Sequence, residues 1–392
     1  MSEAVITGLG ATTPLGGDVE STWAGLLAGR SGVAALDEPW AADLPVRIAA
    51  TLAVEPAPLL DRAQARRLDR VEQIALLAAR QAWADAGRPM VAPNRLAVVV
   101  GTGVGGLLTA LGQDDVLEAR GVRRVSPHTL PMLMPNGPAA WVSIELGARA
   151  GAHTPVSACA SGAEAIAYGL DLIRLGRADV VVAGGAEACV HPLTLAAFSQ
   201  AKAVSATGSR PFDVSRDGFV LGEGAALVVL ERASFAAARG AQVLASLAGA
   251  GVTANADHIT ASQLDGQVRA MRMALADVDP LDVTQVQAHA TATPAGDVVE
   301  AEAIASAIGR HPAVTAIKSM TGHLCGAAGS LAAVAAVQSI RDGRIPGTVN
   351  VTRVDPQVKL DVVTGTRPWT PGPVLVNAFG FGGHNASLLI TP

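Results

Sequence analysis

Apolar runs of strand length alternate along this chain with segments whose apolar residues recur at helical spacing. Ala4–Leu9 precedes Val19–Ala28, Leu96–Val100 stands apart, Thr154–Ala158 precedes Ala163–Leu175, and Val180–Ala183 and Ala226–Leu230 lead to Ala233–Arg239. Strands that are apolar throughout are buried on both faces, so the alternation predicts sheets covered by helices. Arg239-Gly240 reads as a helix end, and a strand-like Val243–Ala250 restarts the pattern, followed by helices around Val268–Ala276, Val298–Ile308 and Ser330–Ile340. A boundary near residue 242 divides the chain into 1–241 and 242–392. No Pro/Ser-rich linker marks it, so the two units should share a large interface. Ile6-Thr7-Gly8-Leu9-Gly10-Ala11-Thr12 and Leu247-Ala248-Gly249-Ala250-Gly251-Val252-Thr253 both read as a strand running into a glycine-containing turn, a hint of a degenerate repeat.

Composition sharpens this picture. Of 392 residues 50% are hydrophobic but only 3% aromatic, with Tyr168 the single tyrosine and 42 glycines. The core is therefore built from Ala, Val, Leu and Ile, whose small side chains let layers approach closely in an α/β protein. The net charge of −5 gives no global basic field for nucleic acid or an anionic membrane. Met1-Ser2-Glu3-Ala4-Val5-Ile6 has no basic residues ahead of its apolar stretch and reads as a first strand, not a signal peptide. Leu324 to Val337 is too short to span a bilayer, which needs ~20 residues. Cys159, Cys189 and Cys325 form no C-x-x-C pair, which argues against a disulfide framework or a structural zinc site and for a reducing, cytoplasmic location.

Candidate chemistry collects in three segments. Val156-Ser157-Ala158-Cys159-Ala160-Ser161-Gly162-Ala163-Glu164 runs from a strand into a helix, and Ser161-x-x-Glu164 has the form of a capping box. That places Cys159 at a helix N-terminus, where backbone N–H groups favour a thiolate; Cys189 and Cys325 read as buried structural residues. His289, in Ala288-His289-Ala290-Thr291-Ala292-Thr293-Pro294, and His323, in Lys318-Ser319-Met320-Thr321-Gly322-His323-Leu324-Cys325-Gly326, follow strand-like stretches, where α/β proteins place ligand-binding groups. With Cys159 they could also make a zinc site, which their sequence separation neither supports nor forbids. Asn377-Ala378-Phe379-Gly380-Phe381-Gly382-Gly383-His384-Asn385 permits close backbone approach to a ligand, as half of an oxyanion hole requires. It lacks dinucleotide-loop spacing, and Gly101-Thr102-Gly103-Val104-Gly105-Gly106 fails the same test because no acidic residue follows at the right distance. Basic clusters at Arg62, Arg66 and Arg67 and at Arg123-Arg124 stand out in an acidic chain.

Taken in order, these motifs resemble the β-ketoacyl-[acyl-carrier-protein] synthases of the elongating, Cys-His-His type, over nearly the whole chain. The resemblance implies the thiolase fold: two similar halves, each with a five-stranded sheet, stacked α-β-α-β-α in an obligate dimer, either a homodimer or a heterodimer with a ketosynthase-like subunit. It implies that Cys159 takes an acyl group from an acyl carrier protein, that His289 and His323 hydrogen-bond the malonyl thioester carbonyl during decarboxylation, and that the N–H groups of Cys159 and Phe381 hold the oxyanion. Phe381 would also gate the acyl pocket. Lys318 resembles the family's structural lysine, with Glu300 as its ion-pair partner. Thr291 and Thr293 would hold the phosphopantetheine arm, with Phe379, Gly382 and Gly383 beside the substrate. Arg62, Arg66, Arg67, Arg123, Arg124 and Lys202 align with the surface that docks the acidic carrier protein in relatives. No metal or diffusible redox cofactor is implied. The chain lacks the C-terminal Cys-x-Gly motif of thiolases, and His323 stands where initiating synthases have Asn. It departs from the pattern in four places: Ala332 replaces a glutamate, Ala292 a serine, Lys202–Ser209 is short, and Ala110 takes a position often occupied by a bulky residue that limits the acyl pocket. Ala332 keeps open an alternative, a non-condensing partner resembling a chain-length factor; a thiolase-like or hydrolytic acyltransferase acting on coenzyme A esters is a third.

Overall fold

The computed structural model describes residues 3–392; Met1 and Ser2, read above as the start of the first strand, lie outside them. Ten of the eleven strands of the main sheet are β1 (Ala4–Thr12), β2 (Leu96–Gly101), β3 (Gly151–His153), β4 (Val180–Glu187), β5 (Gly224–Arg232), β6 (Ala245–Ala254), β7 (Gln285–Gln287), β8 (Ala313–Thr315), β9 (Val374–Gly380) and β10 (His384–Thr391). The first five run in the order β3-β2-β4-β5-β1 and the second five in the order β8-β7-β9-β10-β6, with Asp361–Val362 added at the β8 edge. Each set is third-second-fourth-fifth-first in chain order. β1 and β6 pair antiparallel through Ala4–Leu247, Val5–Ser246 and Ile6–Ala245, which joins the two sets into one continuous sheet.

The principal helices are α1 (Val19–Leu27), α2 (Arg70–Asp85), α3 (Leu107–Arg120), α4 (Gly137–Leu146), α5 (Ser161–Arg174), α6 (Pro192–Gln200), α7 (Leu264–Leu275), α8 (Pro294–Ala307) and α9 (Ala328–Asp342). α5 and α9 lie between the two strand sets. α5 packs on β2 and β4 on one side and β6 and β10 on the other, while α9 packs on β5 and β9. α2 covers the outer face of β1 and β5, and α7, with α8 beside it, covers that of β6 and β10. The result is the layered mixed α/β arrangement of the thiolase type. In β2 the alternation is direct: Ala97 and Val99 enter the central core, and Leu96, Val98 and Val100 the outer one. Fully burying each such valine or leucine contributes about 1.5–3 kcal/mol.

The glycines of the repeated segment lie not in turns, as the sequence suggests, but inside β1 and β6, and they have the same use in both halves. A Cβ on Gly8 or Gly10 would stand 2.2 or 2.0 Å from the carbonyl oxygens of Ala82 and Ala78 in α2, and one on Gly249 or Gly251 would stand 2.0 or 2.1 Å from those of Ala274 and Ala270 in α7. Each strand thus accepts a helix directly against its backbone.

Two sequence expectations change. Thr154–Ala158 is not a strand: pairing ends at His153, after which Pro155, which has no N–H, spends its carbonyl on the Thr102 N–H. The sequence pattern also leaves 29–95 and 101–153 without elements, yet these hold α2, α3 and α4. Glu72 and Gln73 sit on the buried side of α2, so its inner face does not read as an apolar stripe.

Candidate active site

Cys159 is half-buried in a 3-10 turn, Ala158–Ala160, immediately before α5. The turn is set by left-handed Ala158 (φ 51°) and by Ser161, whose hydroxyl accepts from the Ser157 N–H at 2.9 Å and reaches the Ala158 carbonyl at 2.6 Å. The capping box expected at Ser161-x-x-Glu164 does not form. Ala160 is the N-cap and its methyl group offers no cap acceptor, while the Ser161 hydroxyl, one residue into the helix, is committed to the turn behind it. The expected thiolate is not favoured either. Burial raises the Cys159 thiol well above its ordinary value and Cys325 adds to the rise, while Lys318 and the Phe381 N–H, which donates toward the sulfur, only moderate it. Gly380 makes that approach possible, since a Cβ there would stand 2.5 Å from the Ser157 carbonyl oxygen and 3.1 Å from the Cys159 nitrogen.

The two histidines come from the other half of the chain and meet edge to face, with ring centroids 5.5 Å apart. His289 follows β7, its N–H donating to Glu300 Oε1 at 2.8 Å; the Ala290 N–H donates to Oε2 at 2.6 Å. Ala290 and Ala292 are left-handed, and the carboxylates of Glu300 and Asp297 on α8 hold this loop, Asp297 accepting from the Ala292 N–H at 3.0 Å. The His323 N–H donates to the Val220 carbonyl at 2.7 Å, and its own carbonyl accepts from the Gly222 N–H at 2.9 Å. Phe219 packs edge-on against its ring at 5.2 Å and Phe379 lies 5.7 Å from that of His289. Burial, then the Lys318 charge, pull both imidazoles well below their usual value, so they are neutral near pH 7. Each Nδ1 is buried without a partner.

Lys318 does not form the expected contact ion pair. Its ammonium donates to the His289 carbonyl, while Glu300 is occupied by two backbone N–H groups and by Asn377 Nδ2 at 3.2 Å. Lys318 and Glu300 bind the same loop from two sides and interact through space. Burial draws Lys318 down to about 8 and pushes Asp297 up to about 7. Ala332 is buried in the central apolar core.

Thr291 and Thr293 lie side by side, hydroxyls 3.3 Å apart, both half-buried. Phe381 is exposed beside left-handed Gly382 and Gly383, whereas Phe379 is buried. Ala110 is half-buried in α3. Arg62, Arg66, Arg67, Arg123, Arg124 and Lys202 are all exposed, and none forms an ion pair among the described residues. Cys189 and Cys325 are buried in one shared cluster with Phe219. Among the described residues no group of three His, Cys, Asp or Glu is arranged to hold a metal, and no helix is long and apolar enough to cross a membrane.

Sequence reasoning passed over Glu187, Asp297 and Asn377, all buried: the first two bond loops of the site, and Asn377 donates to the Glu300 carboxylate that holds the His289 loop. For Glu187 a signal existed: an acidic residue closing an otherwise apolar strand needs buried donors.

Residues 1–236 match the family model for the beta-ketoacyl synthase N-terminal domain, and residues 244–352 that for the C-terminal domain. The chain is 43% identical over 401 residues to 3-oxoacyl-[acyl-carrier-protein] synthase 2 of Mycobacterium tuberculosis (strain ATCC 25618 / H37Rv), covering 98% of this chain and 96% of that one. The ishigamide ketosynthase/chain length factor superposes with a TM-score of 0.93 at 33% identity, covering 100% of this chain and 99% of that one. A ketosynthase in complex with its type II polyketide acyl-carrier protein gives 0.90 at 27% identity, again over 100% and 99%. With the N-terminal and C-terminal family models matched in order and a full-length relative at 43% identity, the chain belongs to the β-ketoacyl synthase family.

Proposed function

We propose that this protein is a condensing acyltransferase that joins an acyl group held on Cys159 to the two-carbon unit of malonyl carrier protein, releasing carbon dioxide, in fatty-acid or type II polyketide elongation. The observation that carries the reading is a half-buried thiol toward which a backbone N–H donates, within reach of the same Lys318 charge that acts on two neutral, edge-to-face imidazoles from the opposite half of the chain.

Because burial disfavours a resident thiolate, the Cys159 proton leaves as the sulfur attacks the acyl thioester carbonyl, and the departing pantetheine thiolate takes it up. The N–H groups of Cys159 and Phe381 hold the oxyanion. When malonyl thioester follows, its carboxylate leaves as carbon dioxide and the electron pair of the broken bond moves onto the thioester oxygen, which His289 and His323 stabilise as neutral donors. The enolate carbon attacks the acyl-Cys159 carbonyl, and collapse expels the cysteine sulfur, which is reprotonated, giving β-ketoacyl carrier protein. Lys318 and Glu300 position the His289 loop, and Thr291, Thr293, Phe379, Gly382 and Gly383 receive the pantetheine-borne substrate. No separate cofactor takes part.

The acyl carrier protein docks on the exposed Arg62, Arg66, Arg67, Arg123, Arg124 and Lys202, and the chain works in the cytoplasm as a dimer with itself or with a ketosynthase-like subunit. The division into halves at residue 242 belongs to the same reading and is supported by the repeated strand order. Ala110 leaves room for a longer or stiffer acyl chain; turnover confined to short acyl groups would count against that. Intact-mass measurement after incubation with acyl carrier protein thioester tests the whole: an acyl adduct is expected on Cys159 and none on Cys159→Ala. No adduct, with none restored by a partner subunit, would leave the non-condensing partner in its place.

A further inference from the structure

Glu187 ends β4 with its side chain fully buried, and its carboxylate makes no hydrogen bond to Cys159, His289 or His323, although its charge is one of those that raise the Cys159 thiol. Four donors converge on it. The Thr102 hydroxyl at 2.8 Å and the Val104 N–H at 3.3 Å bond Oε1; the Gly103 N–H at 2.7 Å and the Gly326 N–H at 2.9 Å bond Oε2. Burying a carboxylate is costly, and this number of donors is what makes the position tolerable.

The donors come from the two halves that make the site. Thr102–Val104 follow β2, and the Thr102 carbonyl lies 3.2 Å from the Ser161 hydroxyl that shapes the Cys159 turn. Gly326 belongs to the 3-10 turn Cys325–Ala327, three residues beyond His323 and just before α9. The junction has no slack: a Cβ on Gly326 would stand 2.6 Å from the Gly103 nitrogen and 2.8 Å from Glu187 Oε2, and one on Gly103 would stand 2.6 Å from that same oxygen. Glu187 therefore bonds, through one carboxylate, a loop that supports the nucleophile turn and the turn that follows His323.

We propose that Glu187 is a positioning residue that holds the turn after His323 at the depth Cys159 requires, so that condensation, which uses both turns, depends on it far more than loading of Cys159, which uses one. The proposal rests on the condensing reaction given above. It also separates glutamine from other replacements. In Glu187→Gln the amide oxygen can keep Gly103 and Gly326 while the amide nitrogen donates to a reversed Thr102 hydroxyl, so only the longest bond, from Val104, is lost. Glu187→Met has the length but no acceptor, and Gly326→Ala pries the turn away while leaving the carboxylate in place.

The experiment compares acyl loading of Cys159, followed by intact mass, with condensation of malonyl carrier protein on pre-acylated enzyme. Glu187→Gln is expected within about threefold of wild type in both steps. Glu187→Met and Gly326→Ala are expected to load within about threefold but to lose about a hundredfold in condensation, in kcat and not in KM for malonyl carrier protein, since a displacement of about 1 Å suffices for such a loss. If Glu187→Met does not fold, Gly326→Ala carries the same comparison. Folded variants that lose both steps equally, or neither, beside a wild type that condenses, would overturn the positioning role alone. A wild type that loads no acyl group would overturn the condensing reading on which it stands.

Discussion

The two halves of the chain share a strand order, a glycine-lined strand that receives its helix, and a 3-10 turn leading into a central helix. They differ in what that turn presents. Ala158 (φ 51°) and Cys325 (φ 42°) open the two turns in the same left-handed conformation, and the next residue is Cys159 in one and Gly326 in the other. The first half thus offers a nucleophile where the second has no side chain at all, and a side chain at 326 would meet the Gly103 nitrogen. The second half instead places His323 upstream of the turn and surrounds its loops with Lys318, Glu300 and Asp297. On the proposed mechanism, one strand order used twice supplies covalent chemistry from one set and proton and charge handling from the other.

That division can be broken from either side. The largest effect is expected at the histidines: His323→Ala and His289→Ala should each lower condensation by about 10²–10³ in kcat while leaving acyl loading within about threefold, because they belong to the second step only. Equal loss of loading, measured by intact mass, would mean that the two halves do not divide the work. Next comes the scaffold. Gly10→Ala and Gly251→Ala should each destabilise the protein by about 3 kcal/mol in denaturant titrations, as a Cβ must displace helix backbone in both halves. Gly112→Ala, where nothing lies within 4 Å inside α3, should be neutral or stabilising. A tolerated Gly251→Ala beside a damaging Gly10→Ala would show that the repeat is not energetically equivalent.

Lys318 sharpens the comparison through pH. Its charge helps keep both imidazoles neutral and is lost above about 8. Removing it in Lys318→Met lets both histidines rise toward their ordinary value, so the acid limb of condensation should move to higher pH, and any alkaline limb near 8 should vanish. A pH profile that keeps both limbs would remove Lys318 from the charge-handling half. The smallest effect is at the surface. Arg66→Glu with Arg67→Glu should raise KM for acyl carrier protein about fivefold or more with little change in kcat, and salt should mimic it in the wild type; an unchanged KM would take docking away from this face.

Much of this was legible along the chain. The apolar runs and helical spacings marked ten of the main elements, and Gly8, Gly10, Gly249 and Gly251 announced the repeat because strand-on-helix contact leaves a local signature. Cys159, His289, His323 and the 380–383 glycines could be picked out since each lies in a short segment dense with small residues. What could not be read depends on burial and on long-range pairing. The Cys159 thiol rises instead of falling because desolvation by distant segments outweighs the helix end beside it. Lys318 and Glu300 look like an ion pair until the backbone groups that claim them are seen. Glu187 has partners 83 to 139 residues away, a relation no local pattern encodes.

The central layer has a consequence for how the molecule comes into being. α5 is synthesised early, but α9, the helix that shares its layer, spans Ala328–Asp342, close to the end of the chain. Until those residues leave the ribosome, the apolar inner face of β5 and the flank of α5 that meets α9 lack their cover. Some three hundred residues must therefore emerge before the layer can close, a long interval in which a nascent-chain chaperone would find its substrate.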